Sequence, residues 1–378
     1  MSKEELKLEL LSGIGPKIGN KWRLEGYKNL RNIANASSQQ LVRDLGLNVG
    51  KAQSIIAEAN RIVAEESIVF ETGEDILKYR EEVVQRISTG AKNFDKILGG
   101  GIQSDASTLL TGSYGAGKTQ VVQQLCVNCV VDLKKVAIFL STEQATFVPE
   151  RFVAMAVFGK NYVPYGWKPD KLAKVLNRSL FGQYKEITEE QAENIILNAN
   201  GTFYFGEGKS DIVVVRPKYL QTSDKLYNAL EGIETDLIKA RGMEIGLIVV
   251  DSYTGLLRGE FLGRATLSER SEAISRHIKL INRLTSKYGI AFVATGQVYG
   301  VPDPRQQGSL ATRRTGMTHI PWGGDRFLHF WTYQISLDQV SGGKSTELVW
   351  EAYTYDAPTP RQTARFIICR EGVRDAEY

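Results

Sequence analysis

Three cysteines and three histidines in 378 residues leave little material for a disulfide framework or a zinc site. Cys126 and Cys129 form a C-x-x-C pair, which would suit redox or zinc chemistry if a second pair existed. None does, and the pair lies in TQVVQQLCVNCVV, a run apolar enough to read as a buried helix, so the thiols are expected to be structural. His277, His319 and His329 lack metal-ligand spacing. No apolar stretch approaches the roughly eighteen residues of a membrane span, and the opening MSKEELKLELL has no signal-peptide layout. The chain is therefore expected to be intracellular and soluble. Charge of one sign is scarce too: 47 Lys and Arg against 43 Asp and Glu leave +4. Nucleic-acid binding, if present, has to come from local clusters or from many subunits acting together.

What is there has room for one large domain and one small one. Residues 1–64 read as short helices joined by glycine turns, with Gly13-Ile14-Gly15 ahead of one helical run and DLGLNVGKAQSIIAEANRIV forming a second unit. The pattern resembles a helix-hairpin-helix module, whose turn amides meet a DNA phosphate; a plain helical bundle for protein contacts fits the same residues. A charged connector spans 65–86. From 87 to 378, apolar runs alternate with amphipathic helical patterns, the signature of an α/β domain with a mainly parallel sheet. Residues 159–211 interrupt that rhythm and read as an irregular insertion rich in aromatic and polar residues.

The strongest local signal is Gly112-Ser113-Tyr114-Gly115-Ala116-Gly117-Lys118-Thr119, a full G-x-x-x-x-G-K-[ST] match. An apolar STLLT strand precedes it and a helical QVVQQL follows. Glycines let the backbone wrap phosphates with inward N–H groups, and a helix N-terminus adds favourable dipole. Lys118 can reach the outer phosphates of ATP and Thr119 can ligate Mg²⁺. Three further apolar runs end in polar residues: VAIFLSTE at Glu143, LIVVDS at Asp251 and AFVATGQ at Gln297. In an open parallel sheet the ligand sits beyond the carboxyl ends of the strands, so four ends converge on one phosphate. Asp251 suits the Mg²⁺ carboxylate, Glu143 the base that orients water, and Gln297 a sensor of the γ-phosphate. Each of these taken alone is equally a strand-end residue facing solvent.

This constellation resembles the archaeal RadA and eukaryotic Rad-type recombinases of the RecA superfamily over nearly the whole chain outside the insertion. RISTGAKNFDKILGGGI leading to the loop, and Thr142-Glu143 followed by Phe147, Pro149, Glu150 and Arg151, carry the likeness. It implies a RecA-like P-loop ATPase that uses ATP and Mg²⁺, forms filaments on single-stranded DNA and drives homologous pairing with double-stranded DNA. It further implies that Glu143 activates water, that Arg151 packs against adenine, and that Gln297 links the γ-phosphate to the DNA loops. Phe70-Glu71-Thr72-Gly73 is similar to the family's polymerisation motif, Phe70 filling a pocket on the next subunit while an extended segment carrying Gly73 adds to its sheet edge. YDAPTP resembles the segment that caps a neighbour's ATP, with Asp356 and Pro360 completing that site. A homo-oligomer follows, as a helical filament or as rings without DNA, in the cytoplasm and associated with the nucleoid, with recombination mediators as further partners.

Two basic segments follow the catalytic strands. LLRGEFLGRATLSER offers Arg258, Phe261, Arg264 and Arg270 and resembles the family's first DNA loop; a second, about 299–320, offers Arg305, Arg313 and Arg314. Arginines there neutralise phosphates and apolar neighbours wedge between bases, without reading sequence. An isolated basic loop is usually just solvated, but two on the ligand-bearing side of one sheet favour DNA. The chain departs from the family at Val148, Ala265, Ser271, Gly296, Asp325 and Arg361, and by an extra residue near Ala145. Those departures keep open a regulatory paralogue that loads another recombinase; a ring-forming ATPase acting on protein is a third reading, which would leave the basic loops without a task.

Overall fold

A computed structural model describes residues 7–66, 72–144, 146–178, 185–206, 209–263, 265–300, 319–323, 325–340 and 348–376. The chain divides into two compact units, 1–83 and 84–378. In the first, helices α1 (Pro16–Leu24), α2 (Leu30–Ala34), α3 (Ser38–Leu45) and α4 (Val49–Glu66) enclose a small core of Leu8, Leu11, Trp22, Leu30, Ile33 and Leu41. Gly15 caps α1 and Pro16 occupies its first turn, where a missing N–H costs nothing. Ser37 and Gln40 form a reciprocal capping box on α3. The connector turns helical earlier than the extended segment expected of it: Thr72 and Asp75 cap each other, and Gly73 opens α5 (Gly73–Glu82). Phe70 lies outside the described residues.

The second unit opens with the small β1 (Arg86–Ile87) and β2 (Ile102–Gln103) pair flanking α6 (Lys92–Ile97). β3 (Ser107–Gly112) then leads through the glycine loop into α7 (Lys118–Asp132) and β4 (Val136–Ser141), followed by α8 (Pro149–Ala154) and a π-helical turn, Met155–Gly159. The next stretch, expected to be irregular, is built of regular elements. β5 (Tyr162–Pro164) pairs in parallel with β6 (Gly201–Phe203), enclosing α9 (Pro169–Asn177) and α10 (Glu189–Leu197), and β7 (Phe205–Gly206) forms a hairpin with β8 (Lys209–Ser210). Its aromatic content is the reason for the order: Phe203, Phe205 and Trp167 stack on one another and on Phe152 of α8, extending the main core outward.

β9 (Ile212–Val215), α11 (Ser223–Gly232), a second π-helical turn (Ile233–Lys239), β10 (Ile245–Asp251), α12 (Tyr253–Glu260), α13 (Leu267–Tyr288), β11 (Ala291–Gly300) and β12 (His319–Pro321) follow. The chain ends in β13 (Tyr333–Val340), β14 (Val349–Asp356), β15 (Thr363–Cys369) and β16 (Gly372–Asp375). The main sheet runs β16-β15-β14-β13-β3-β11-β10-β4-β9, with β12 paired to β11. The strands from β13 to β9 are parallel; β14, β15 and β16 extend the sheet antiparallel. Successive side chains of a strand face opposite ways, so Ala137 and Phe139 meet α7 while Ile138 and Leu140 meet the α11–α13 side. Both faces are covered, which is why these strands read as continuous apolar runs. No described helix is long and apolar enough to cross a membrane.

Candidate functional site

The sheet brings the four expected strand ends together. β3 stops at Gly112, and the loop re-enters a helix at Lys118 behind Gly117, whose left-handed φ of 81° suits glycine. A Cβ on Gly117 would lie 2.7 Å from Ile368 Cδ1, so close packing against β15 requires glycine there as well. Ser113, Tyr114 and Gly115 are exposed at the rim, and Ala116 is buried beneath them. Lys118 Nζ donates to the carbonyls of Gly112 and Ser113, both at 2.8 Å. Burial pushes the Lys118 pKa down against the pull of the Asp251 and Glu143 charges. A cation held only by loop carbonyls, at the start of a helix, is arranged for an anion.

Asp251, at the end of β10, is 2 % exposed. The Thr119 hydroxyl donates to its Oδ2 at 2.8 Å, and Thr295 donates to its Oδ1. Burial pushes the Asp251 carboxyl up, while the two hydroxyl donors pull it down. Both hydroxyl partners are neutral, and among the described residues no cation is in ion-pair contact with the carboxylate. A hydroxyl and a carboxylate are hard oxygen donors, and the pair fits Mg²⁺ held in part by phosphate and water.

Glu143 follows β4. Its carboxylate occupies the space a Cβ on Gly255 would need, so glycine at the start of α12 makes room for it. Gln297 Nε2 donates to Glu143 Oε1 at 3.5 Å, and Arg258 Nη1 donates to Gln297 Oε1 at 3.1 Å. The Gln297 backbone N–H donates to the Thr254 hydroxyl at 2.8 Å, tying β11 to α12. Thr142 clasps β4 to β10, donating its N–H to the Asp251 carbonyl and exchanging hydrogen bonds with the Ser252 backbone. Beside these groups opens a cleft of about 940 Å³ lined by Glu143, Gln297, Arg258, Glu260, Lys218 and Thr222.

Arg151 is 1 % exposed; it donates to Gln120 and to the carbonyls of Cys369 and Arg370, closing the turn between β15 and β16. Asp356 is exposed at the far end of β14, where it accepts from Gln334, and Pro360 lies in the loop beyond. Gln334 pairs with Leu109 near the start of β3, so Asp356 and Pro360 sit at the opposite edge of the sheet from this chain's own glycine loop. Of the DNA-contact candidates, Arg258 is exposed, Arg270 lies over the Trp322 ring at 4.9 Å, and Phe261 packs part-buried against the apolar cluster of that face. Arg264, Arg305, Arg313 and Arg314 lie outside the described residues. Cys126 and Cys129 are free and buried, burial pushing Cys129 up to about 12, and no cluster of metal ligands occurs among the described residues.

Sequence reasoning missed Thr295, Thr254 and Gly255. Thr295 left a usable signal: it stands two residues before Gln297 in a strand, and so on the same face. The others depend on contacts between segments distant in sequence.

A parallel sheet with a glycine loop at the carboxyl end of β3, and Glu143, Asp251 and Gln297 converging on it, defines a RecA-like P-loop protein. The Rad51 family profile matches residues 79–163 and 209–376, well over half of the chain, and the chain belongs to that family. Residues 1–78 lie outside the match, and the gap between its two parts, 164–208, falls within the β5–β8 region. The chain is 29 % identical to the "DNA repair and recombination protein RadA" of Methanococcus maripaludis strains C5 and C7, over 97 % of this chain and 98 % of each relative.

Proposed function

We propose that this chain is an ATP- and Mg²⁺-dependent recombinase that forms filaments on single-stranded DNA and pairs it with homologous double-stranded DNA. The observation that carries the reading is the side-chain chain Glu143–Gln297–Arg258, which joins the phosphate end of the sheet to the first basic segment. In this reading Lys118 exchanges loop carbonyls for phosphate oxygens. Thr119 and Asp251 would hold a Mg²⁺ ion, which would supply positive charge to offset that of the phosphates. Glu143 orients a water and takes its proton. Gln297, between Glu143 and Arg258, transmits the presence of the outer phosphate to the Arg258–Arg270 segment. Arg258, Arg264 and Arg270, with Arg305, Arg313 and Arg314, neutralise DNA phosphates, so binding weakens steeply with salt.

Assembly supplies the rest. Strand β9 ends the sheet with an unpaired edge among the described strands, the kind of surface to which an extended segment led by Phe70 adds. Asp356 and Pro360, remote from their own chain's loop, serve a neighbour's nucleotide. The protein acts in the cytoplasm on nucleoid DNA, where recombination mediators assist its loading.

Joint-molecule formation between homologous single and double strands tests the reading. Native protein is expected to form joints with ATP, and Lys118→Ala to form none. Glu143→Gln is expected to keep ATP-dependent assembly on DNA while hydrolysis falls by roughly a hundredfold or more. Native protein that binds ATP and DNA yet forms no joints would instead be a regulator of another recombinase, a role suggested by the departures at Val148, Gly296 and Asp325.

A further inference from the structure

Trp350 lies on β14, outside every element that carries the phosphate-site residues, yet it touches the glycine loop. Its indole Nε1–H donates to the Gly115 carbonyl at 3.3 Å, and the ring lies 3.4 Å from the position of a Cβ on Gly117. The ring is 9 % exposed and stacks at 6.4 Å on Phe366, which stacks at 5.4 Å on Phe94 of α6. Phe366 and Phe94 are fully buried. The indole is therefore held by packing, and its N–H direction is set by the core.

The Gly115 carbonyl and the Ala116 N–H belong to one planar trans peptide, so they point in opposite directions. Drawing the carbonyl outward to Trp350 turns the Ala116 N–H inward. There it donates to the Ser113 carbonyl at 3.3 Å, the same oxygen that accepts from Lys118. One inward donor and one cation thus share an acceptor that an incoming phosphate oxygen can replace. The loop is otherwise free to rotate this peptide, because Gly115 (φ 80°), on its amino side, tolerates many conformations. A peptide flip would replace the donor with a carbonyl and repel the ligand.

We infer that Trp350 is a positioning residue for the nucleotide, its indole N–H fixing the Gly115–Ala116 peptide with the amide aimed into the phosphate cradle. This deepens the nucleotide reading above and rests on it. A donor fixed from outside the loop lowers the ordering cost of binding and leaves the chemical step alone.

Calorimetric titration of the DNA-free protein with AMP-PNP and Mg²⁺ tests the inference on two variants. Trp350→Phe removes the N–H and keeps a ring; benzothienylalanine at 350 keeps the full shape and stacking and lacks only the N–H. Both are expected to bind AMP-PNP about three- to tenfold more weakly, the range for one hydrogen bond. ATP turnover at saturation should stay within about twofold of native, because only ground-state binding is lost. Native affinity in the benzothienylalanine protein overturns the inference, whatever Trp350→Phe does, since packing would then be the whole role. An equal fall in saturated turnover overturns it too. Native protein that ignores AMP-PNP removes the nucleotide reading itself.

Discussion

Asp251 and Glu234 are both nearly sealed from solvent, at 2 % and 4 % exposure, and the fold treats them in opposite ways. Around Glu234, on the π-helical turn behind the sheet, stand Arg283 at 2.8 Å, Lys239 at 3.1 Å and Lys287 at 3.3 Å, with the Tyr288 hydroxyl at 2.9 Å. Burial alone would raise its pKa; the bonds from Tyr288, Lys239 and Lys287 and the charge of Arg283 outweigh burial and hold it at about 2. Around Asp251 stand two threonine hydroxyls, and its pKa is pushed up. A buried carboxylate surrounded by cations is finished structure. One whose contacts are neutral donors, with Lys118 near but not in contact, has room for a further cation.

Replacing each carboxylate by its amide separates the two most sharply. Asp251→Asn is expected to lower Mg²⁺-dependent ATP turnover by roughly a hundredfold or more. The same change should leave the ligand-free protein as stable or slightly more so, read as an unchanged or raised melting temperature. The sign follows from a raised folded pKa: the protonated form is favoured, and that stability is lost as pH climbs through the folded value. An Asp251→Asn protein that melts far below native would break the contrast.

Glu234→Gln should do the reverse. Turnover at saturating ATP should stay near native, while stability in denaturant titration falls by about 2–4 kcal/mol, because three cations lose their shared anion. Acid sharpens the point. With a folded pKa of about 2 against 4.5 ordinarily, Glu234 contributes stability above pH 4.5 that fades as pH falls toward 2. The native protein should lose stability over that window more steeply than Glu234→Gln. Parallel curves would show that the cation cluster does not set the Glu234 charge.

The two regions were not equally legible in the sequence. The glycine loop announces itself because its chemistry demands contiguous residues between a strand and a helix. Glu143, Asp251 and Gln297 could be read because each closes an apolar run, and parallel strands deliver their ends to one edge. Thr254, Gly255 and Trp350 could not, since their roles arise only when α12 or β14 packs beside residues far away in the chain. Glu234 gave no signal for the same reason: its cations come from the π-helical turn and from α13. The 159–211 stretch looked irregular because its elements are short and its aromatics follow no period, yet their mutual stacking orders it. Arg151 is held by backbone carbonyls of the β15–β16 turn, contacts that no local pattern foretells.

β14 has one consequence of its own. Trp350 near its start touches the glycine loop, and Asp356 at its end lies six residues on, about 20 Å away along an extended strand. One copy cannot bring both ends to the same ligand, so any use of Asp356 at a nucleotide joins unlike ends of two copies. A chain of such contacts has no twofold axis and carries an arrow: its two tips are chemically different. Growth and loss at those tips need not proceed at equal rates, and such a polymer would have a direction of travel.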